Sequence, residues 1–171
     1  GHLPLPLAVL KAGALAHNLA WMQAFARERE LDLAPHGKTT MSPQLFRRQL
    51  DAGAWGITFA TVFQLRMGVM AGVRRALIAN QVLTDPDLAG LARLLAQAEG
   101  LRVAFLVDSV EQLRQIETWR AAQRQAPVFE VLLEIGIVGG RTGVRDGQVA
   151  VDLARALRRS PAVRLVGIEC Y

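Results

Sequence analysis

The chain has 171 residues and a mass of 18.7 kDa, enough for one domain or for a piece of a larger one. Hydrophobic residues make up 51% and charged residues 20%, an ordinary globular balance that excludes a disordered chain. The net charge of +5 is an arginine effect, since Lys11 and Lys38 are the only lysines. It comes with no basic stripe or recognisable module that would point to nucleic acid.

Short apolar runs alternate with amphipathic segments along the chain. Leu7–Leu10 is a short candidate strand. Gly13–Glu30 reads as a helix, because Leu15, Leu19, Met22 and Ala26 recur at spacings of four, three and four. Leu31–His36 is a strand. Ser42-Pro43 opens the next helix, with serine as N-cap and proline in the first helical position, and Gly53 stops it. Trp55–Ala60 is a strand, and Thr61-x-x-Gln64 is a capping box for a helix that Gly72 closes. Ala76–Ala79 is a strand, and Asp85-Pro86 opens a helix running to about Glu99. Arg102–Val107 is a strand, and Ser109-x-x-Gln112 is a second capping box. Val128–Ile135 is a strand followed by a glycine-rich turn. A helix from about Gly147 ends at Ser160-Pro161, and Val163–Cys170 is the last strand.

This alternation predicts parallel strands joined by crossover helices. The strands are nearly continuous apolar runs, as strands covered on both faces are. Two architectures compete: a doubly wound open sheet and a (β/α) barrel. No GxGxxG follows the first strand and there is no P-loop, which lowers the open nucleotide-binding form. From Leu31 there are at most six strand–helix units, fewer than the eight of a closed barrel, and the sequence stops on a strand. The expectation is an N-terminal piece of a longer protein.

Cys170 is the only cysteine, which rules out an internal disulfide and a cysteine-built zinc cage. A reducing compartment, the cytoplasm, fits. His2, His17 and His36 are scattered, so no metal site is expected within this chain. No apolar run approaches the roughly 20 residues of a membrane helix. Gly1 to Lys11 has no basic n-region and is broken by Pro4 and Pro6, so no signal peptide is read there. Gly1-His2 fits a tag remnant.

Chemistry in such folds sits at the carboxyl ends of the strands. Lys38, in Pro35-His36-Gly37-Lys38-Thr39-Thr40, lies just past a strand. It is either a Schiff-base lysine or a solvated loop lysine. Asn80-Gln81 either binds substrate or caps its turn. Asp108-Ser109 reads as a helix cap. In Glu134 through Gly143, glycines permit close backbone approach and Arg141 faces the mouth, where it could hold an anion or a ring heteroatom. Glu169-Cys170-Tyr171 ends the last strand. Cys170 reads as a small packed residue rather than a nucleophile.

These residues carry a resemblance. Ala34-Pro35-His36-Gly37-Lys38-Thr39-Thr40-Met41-Ser42-Pro43, continued by Arg48 through Thr58 and by Ala60-Thr61, resembles the D-serine dehydratase/D-threonine aldolase family. These are alanine-racemase-like (fold type III) pyridoxal-phosphate enzymes. Ile78 through Val82, Gly140 through Val144 and Gly167 through Tyr171 match further family segments in the same order. The resemblance runs from about Leu5 to Tyr171, and the wording around Lys38 is closer to the deaminase branch than to the aldolase branch.

The resemblance implies a (β/α)8 TIM-type barrel, truncated here to about six units, followed in the family by a β-domain. Residues 1–12 would carry a short strand that joins that β-domain, and residues 13–171 would form the partial barrel. Lys38 would bind pyridoxal 5'-phosphate covalently and move protons at the substrate α-carbon. His36 and Thr40 would support lysine and cofactor, Arg141 would contact the pyridine ring, Tyr171 would lie near the cofactor, and Asn80 near the substrate. The family's metal ligands lie near its C-terminus, so a divalent metal (zinc or manganese) would come from outside this chain. The implied activity is β-elimination of a D-β-hydroxy amino acid to keto acid and ammonia. The alternatives are D-threonine aldolase-type cleavage, an amino acid racemase of the same fold, and a non-catalytic pyridoxal-phosphate-binding protein. A homodimer is implied for the full-length protein, with no nucleic-acid or membrane partner.

Overall fold

The computed structural model describes residues 3–171. Helix α1 spans Ala12–Glu28 and α2 spans Pro43–Asp51, capped by Ser42, whose hydroxyl accepts from the Leu45 N–H. Then come β1 (Ile57–Phe59), α3 (Val62–Met70), β2 (Arg75–Gln81), α4 (Asp85–Gln97), β3 (Arg102–Val107) and α5 (Val110–Ala121). The chain finishes with β4 (Phe129–Ile135), α6 (Gly147–Arg159) and β5 (Val163–Cys170). The side chains of Thr61 and Ser109 accept from the N–H groups of Gln64 and Gln112, as the two capping boxes require. The cap of α4 is Thr84, one residue before the Asp85-Pro86 pair, and that of α6 is Asp146.

Strand order follows chain order, β1-β2-β3-β4-β5, and every neighbouring pair is parallel. A doubly wound sheet reverses its order at a switch point. No reversal occurs here, so the sheet winds as a barrel does and the open alternative is excluded.

The segment predicted as the strand Leu31–His36 lies beside β1 but makes a single bridge, His36 to Thr58. The Thr58 N–H donates to the Pro35 carbonyl (2.9 Å), and the Gly37 N–H donates to the Thr58 carbonyl (2.8 Å). The next bridge down would need a donor at position 35, and proline has none. Leu7–Leu10 forms no strand: its residues are exposed and have no ladder partner among the described residues.

The core lies between the helices and one face of the sheet. Phe46 and Phe59 meet edge to face at 5.5 Å, and Phe105 and Phe129 do so at 5.8 Å. Leu113, Ile116, Leu153 and Leu157 pack around the second pair. Phe105 is fully buried. Phe105→Ala is therefore expected to cost about 3–5 kcal/mol in a urea unfolding titration, whereas a loss under about 1 kcal/mol would contradict this core.

The arginines behave as solvated helix-end residues. Arg47 donates to the Ala71 carbonyl at the end of α3 (3.4 Å), and Arg74 to the Val69 carbonyl (3.3 Å). No helix is long and apolar enough to cross a membrane among the described residues.

Candidate active site

The face of the sheet opposite the helices carries a different set of side chains. Ala79 of β2, Leu106 of β3, Glu134 of β4 and Glu169 of β5 line one pocket of about 150 Å³, together with His36, Lys38, Arg141 and Tyr171. These strand residues alternate with core residues such as Ile78, Phe105 and Leu133, so strand periodicity sorts the two faces. The pocket sits at the carboxyl ends of the strands. A larger groove of about 620 Å³ at Ala89, Ala92 and Trp119 has no nucleophile or carboxylate in its lining.

Lys38 reaches the pocket because Gly37 lies flat on the core. A Cβ at Gly37 would stand 2.7 Å from both Ile57 Cγ2 and Phe46 Cε1. The Met41 N–H then closes the turn onto the Gly37 carbonyl (2.9 Å), and Ser42 starts α2. Lys38 is exposed on this turn and has no side-chain hydrogen bond or ion pair among the described residues.

Arg141 is presented by the loop after β4. That loop folds back on its own strand: the Val144 N–H donates to the Glu134 carbonyl and the Gly136 N–H to the Val144 carbonyl, both at 2.9 Å. Glu134 is 2% exposed, yet its carboxylate is fully engaged. Thr142 Oγ1 donates to one oxygen and Gln81 Nε2 to the other. Gln81 Nε2 also reaches Asp108 Oδ2 at 3.1 Å, and the same Asp108 oxygen accepts from the Gly143 N–H at 3.3 Å. The ends of β2, β3 and β4 are thus tied to the Arg141 loop. The Arg141 guanidinium carbon lies 5.0 Å from the centroid of the Tyr171 ring, a cation–π distance.

The acidity of Glu169 departs from the ordinary. Burial pushes its carboxyl above the usual carboxylate range, and the Glu134 charge pushes the same way, against the pull of Arg141.

Of the residues expected from sequence, the structure brings His36, Lys38, Arg141 and Tyr171 together. Thr40 lies two residues past Lys38, exposed and outside the pocket lining. Asn80 turns away: its Nδ2 donates to the Ala60 carbonyl at 3.4 Å, and its Oδ1 accepts from the Gln81 N–H at 3.1 Å. Gln81 is the amide that faces the network. Asp108 is more than a helix cap, because its carboxylate serves Gln81 and Gly143 while Ser109 caps α5. Counting by twos from Leu106 and Leu132 puts Asp108 and Glu134 on the pocket face, a signal present in the sequence.

Pyridoxal phosphate asks for a primary amine, a cation near its ring and a flat apolar floor. Lys38, Arg141 and the Ala79–Leu106 floor supply these beside Tyr171, so the residues present fit it. Among the described residues no group of three His, Cys, Asp or Glu side chains could hold a metal ion.

Comparison with known proteins agrees with this fold. The alanine racemase N-terminal domain family matches residues 10–171. The chain is 32% identical over 166 residues to a D-threonine aldolase of Arthrobacter sp., covering 97% of this chain and 42% of that protein. It is 33% identical over 170 residues to the D-threo-3-hydroxyaspartate dehydratase of Delftia sp. (strain HT23), covering 97% of this chain and 43% of that one. The crystal structure of D-threonine aldolase from Filomicrobium marinum superposes with a TM-score of 0.87 at 31% identity, over 97% of this chain and 43% of that one. The chain therefore spans under half the length of the relatives it matches. A TM-score of 0.75 with alanine racemase from Bacillus anthracis, at 16% identity, extends the likeness of fold alone. A barrel-wound parallel sheet with its lysine just after the first strand position, and a match over nearly the whole chain, place this protein in the alanine racemase N-terminal domain family of fold type III pyridoxal-phosphate enzymes.

Proposed function

We propose that this chain is the cofactor-binding barrel portion of a lyase that acts on D-β-hydroxy amino acids. The observation that carries it is the convergence of Lys38, Arg141 and Tyr171 on one pocket at the strand ends. Relatives named as acting on D-threonine and on D-threo-3-hydroxyaspartate support the substrate class, since both are D-amino acids with a β-hydroxyl. Pyridoxal phosphate, when bound, supplies the electron sink that makes removal of the α-proton feasible.

The chain's own residues do the rest. The Lys38 amine anchors the cofactor and moves the proton at the substrate α-carbon. Arg141, steadied by the Tyr171 ring and by the Glu134–Thr142 bond, would hold a fixed cation toward the bound cofactor. Ala79 and Leu106 give the ring an apolar floor that excludes water. A divalent metal that assists departure of the β-hydroxyl, a β-domain that takes up residues 1–12, and pairing into a homodimer belong to the full-length enzyme in this proposal. One solved relative is a mutant of a D-threo-3-hydroxyaspartate dehydratase in the metal-free form, which fits a metal in such enzymes.

The leading reaction is β-elimination of the D-serine dehydratase type, giving a keto acid and ammonia. Retro-aldol cleavage is the second reading, favoured by the aldolase named among the 30%-identity relatives. Product analysis separates them. The full-length protein, loaded with pyridoxal phosphate and a divalent metal, is expected to convert D-serine, D-threonine or D-3-hydroxyaspartate. Keto acid with ammonia marks elimination, and glycine or an aldehyde marks cleavage. Conversion of none of the three would sink both readings.

A further inference from the structure

Two carboxyl groups stand side by side in the pocket, and the protein engages only one of them. Glu134 and Glu169 are register partners on β4 and β5 and share the pocket face. Both oxygens of Glu134 accept hydrogen bonds, from Gln81 and Thr142. Glu169 Oε2 is shielded from solvent and accepts from no donor among the described residues. A buried polar atom left unpaired is rare in folded proteins, and inside a cleft it points to a partner that arrives with the ligand.

The surroundings shift Glu169 toward one form of its carboxyl. The ionisable groups facing Glu169 are Glu134 from β4, Arg141 from the following loop, Tyr171 beyond β5, and His36 and Lys38 from the segment beside β1. Asp108 of β3 lies behind Glu134, linked through Gln81. Burial and the Glu134 charge both favour the neutral form of Glu169, and Arg141 alone is identified as opposing it. Neighbouring carboxyl groups with different surroundings can take different tasks, and Glu169 is the one left without a protein partner among the described residues and pushed toward the form that donates.

We propose that Glu169 contacts the bound ligand directly, its carboxyl donating a hydrogen bond to an anionic oxygen of that ligand. The assignment rests on the pocket being a site for pyridoxal phosphate and an amino acid. The oxygen belongs either to the cofactor ring or to the substrate carboxylate, and the two are separable by experiment. As pH rises through the titration of Glu169 the donor is lost. A second negative charge then stands beside Glu134, so affinity for an anionic ligand falls.

The test measures equilibrium binding of pyridoxal phosphate to the protein, and of D-serine to the loaded protein, from pH 4.5 to 8.5. The wild type, Glu169→Gln and Glu169→Leu are compared, and each wild-type sample is also treated with borohydride and mapped for a Lys38 adduct. Glutamine keeps a donor that does not titrate, and leucine removes it. At the acid end of the range Glu169→Leu is expected to bind about tenfold more weakly than wild type, and Glu169→Gln within about twofold of it. As pH rises from the ordinary carboxylate range through the raised titration of Glu169, wild type is expected to lose about tenfold relative to Glu169→Gln. The effect in the first titration assigns the cofactor oxygen, and the effect only in the second assigns the substrate carboxylate. Equal affinities and parallel pH profiles for all three proteins in both titrations, with Lys38 labelled, would overturn the proposal and leave the cofactor reading standing. Absence of a Lys38 adduct in wild type would overturn both.

Discussion

Lys38→Ala is expected to lose the visible absorbance of lysine-linked pyridoxal phosphate, while its unfolding midpoint stays close to wild type. The two halves of this result have separate causes. The Lys38 side chain is exposed and carries no side-chain hydrogen bond or ion pair among the described residues. Removing it leaves no cavity and strands no partner, so the stability change should stay within about 0.5 kcal/mol. Lys11, the other lysine, stands exposed at the N-cap of α1 and outside the pocket lining, so no second amine replaces it. Absorbance and a urea titration on the same preparation check both halves. Retained absorbance at the lysine-linked wavelength would move the site elsewhere.

Gly136→Ala should act in the opposite way, through the fold of one loop. A Cβ there would lie 2.0 Å from the Thr142 carbonyl oxygen and 3.0 Å from its carbonyl carbon. Both are backbone atoms of the loop that carries Arg141, and neither can swing aside as a side-chain tip does. Gly143, across the same turn, sits at φ +88°, where other residues are strained. Relief requires the loop to lift, which breaks the Thr142–Glu134 bond and moves Arg141 from the Tyr171 ring. The expected cost is about 3 kcal/mol of stability with at least tenfold weaker pyridoxal phosphate binding. Gly147→Ala is the control, since no atom lies within 4 Å of its added Cβ and it opens α6. Its stability should change by less than about 0.5 kcal/mol. Urea titration and absorbance read both variants, and equal behaviour of the two would contradict the packed loop.

The elements most legible in the sequence are those with local signals. The caps Ser42, Thr61 and Ser109 accept where their spacing says, and the bounds of β3 and β5 are those the apolar runs give. Pro35 shows the limit of an apolar pattern. Leu31–His36 has the composition of a strand, but ladder pairing also needs a donor that proline lacks. Leu7–Leu10 makes the same point, because a strand exists only with a partner. Barrel winding against double winding was left open by periodicity and is decided by strand order, which is a long-range property.

The site divides along similar lines. Lys38 and Arg141 stand next to glycines on short loops, and their placement could be read from position. Asn80 and Gln81 are adjacent, and composition does not say which one faces the carboxylates of Asp108 and Glu134. Strand parity does: Ala79 and Gln81 share a face, so Asn80 lies on the other. The same parity marks Asp108, Glu134 and Glu169, whose acidic character makes sense only once three strands are set side by side.

The most direct test of the account is to incubate the protein with pyridoxal phosphate, reduce it with borohydride, and map the adduct by mass spectrometry. Lys38 lies at the pocket mouth and Lys11 at the start of α1, so the peptide map separates them. The account predicts one stoichiometric adduct on the peptide containing Lys38 and none on Lys11. An adduct spread over Lys11 and the N-terminus, or none at all, would contradict the assignment of this pocket.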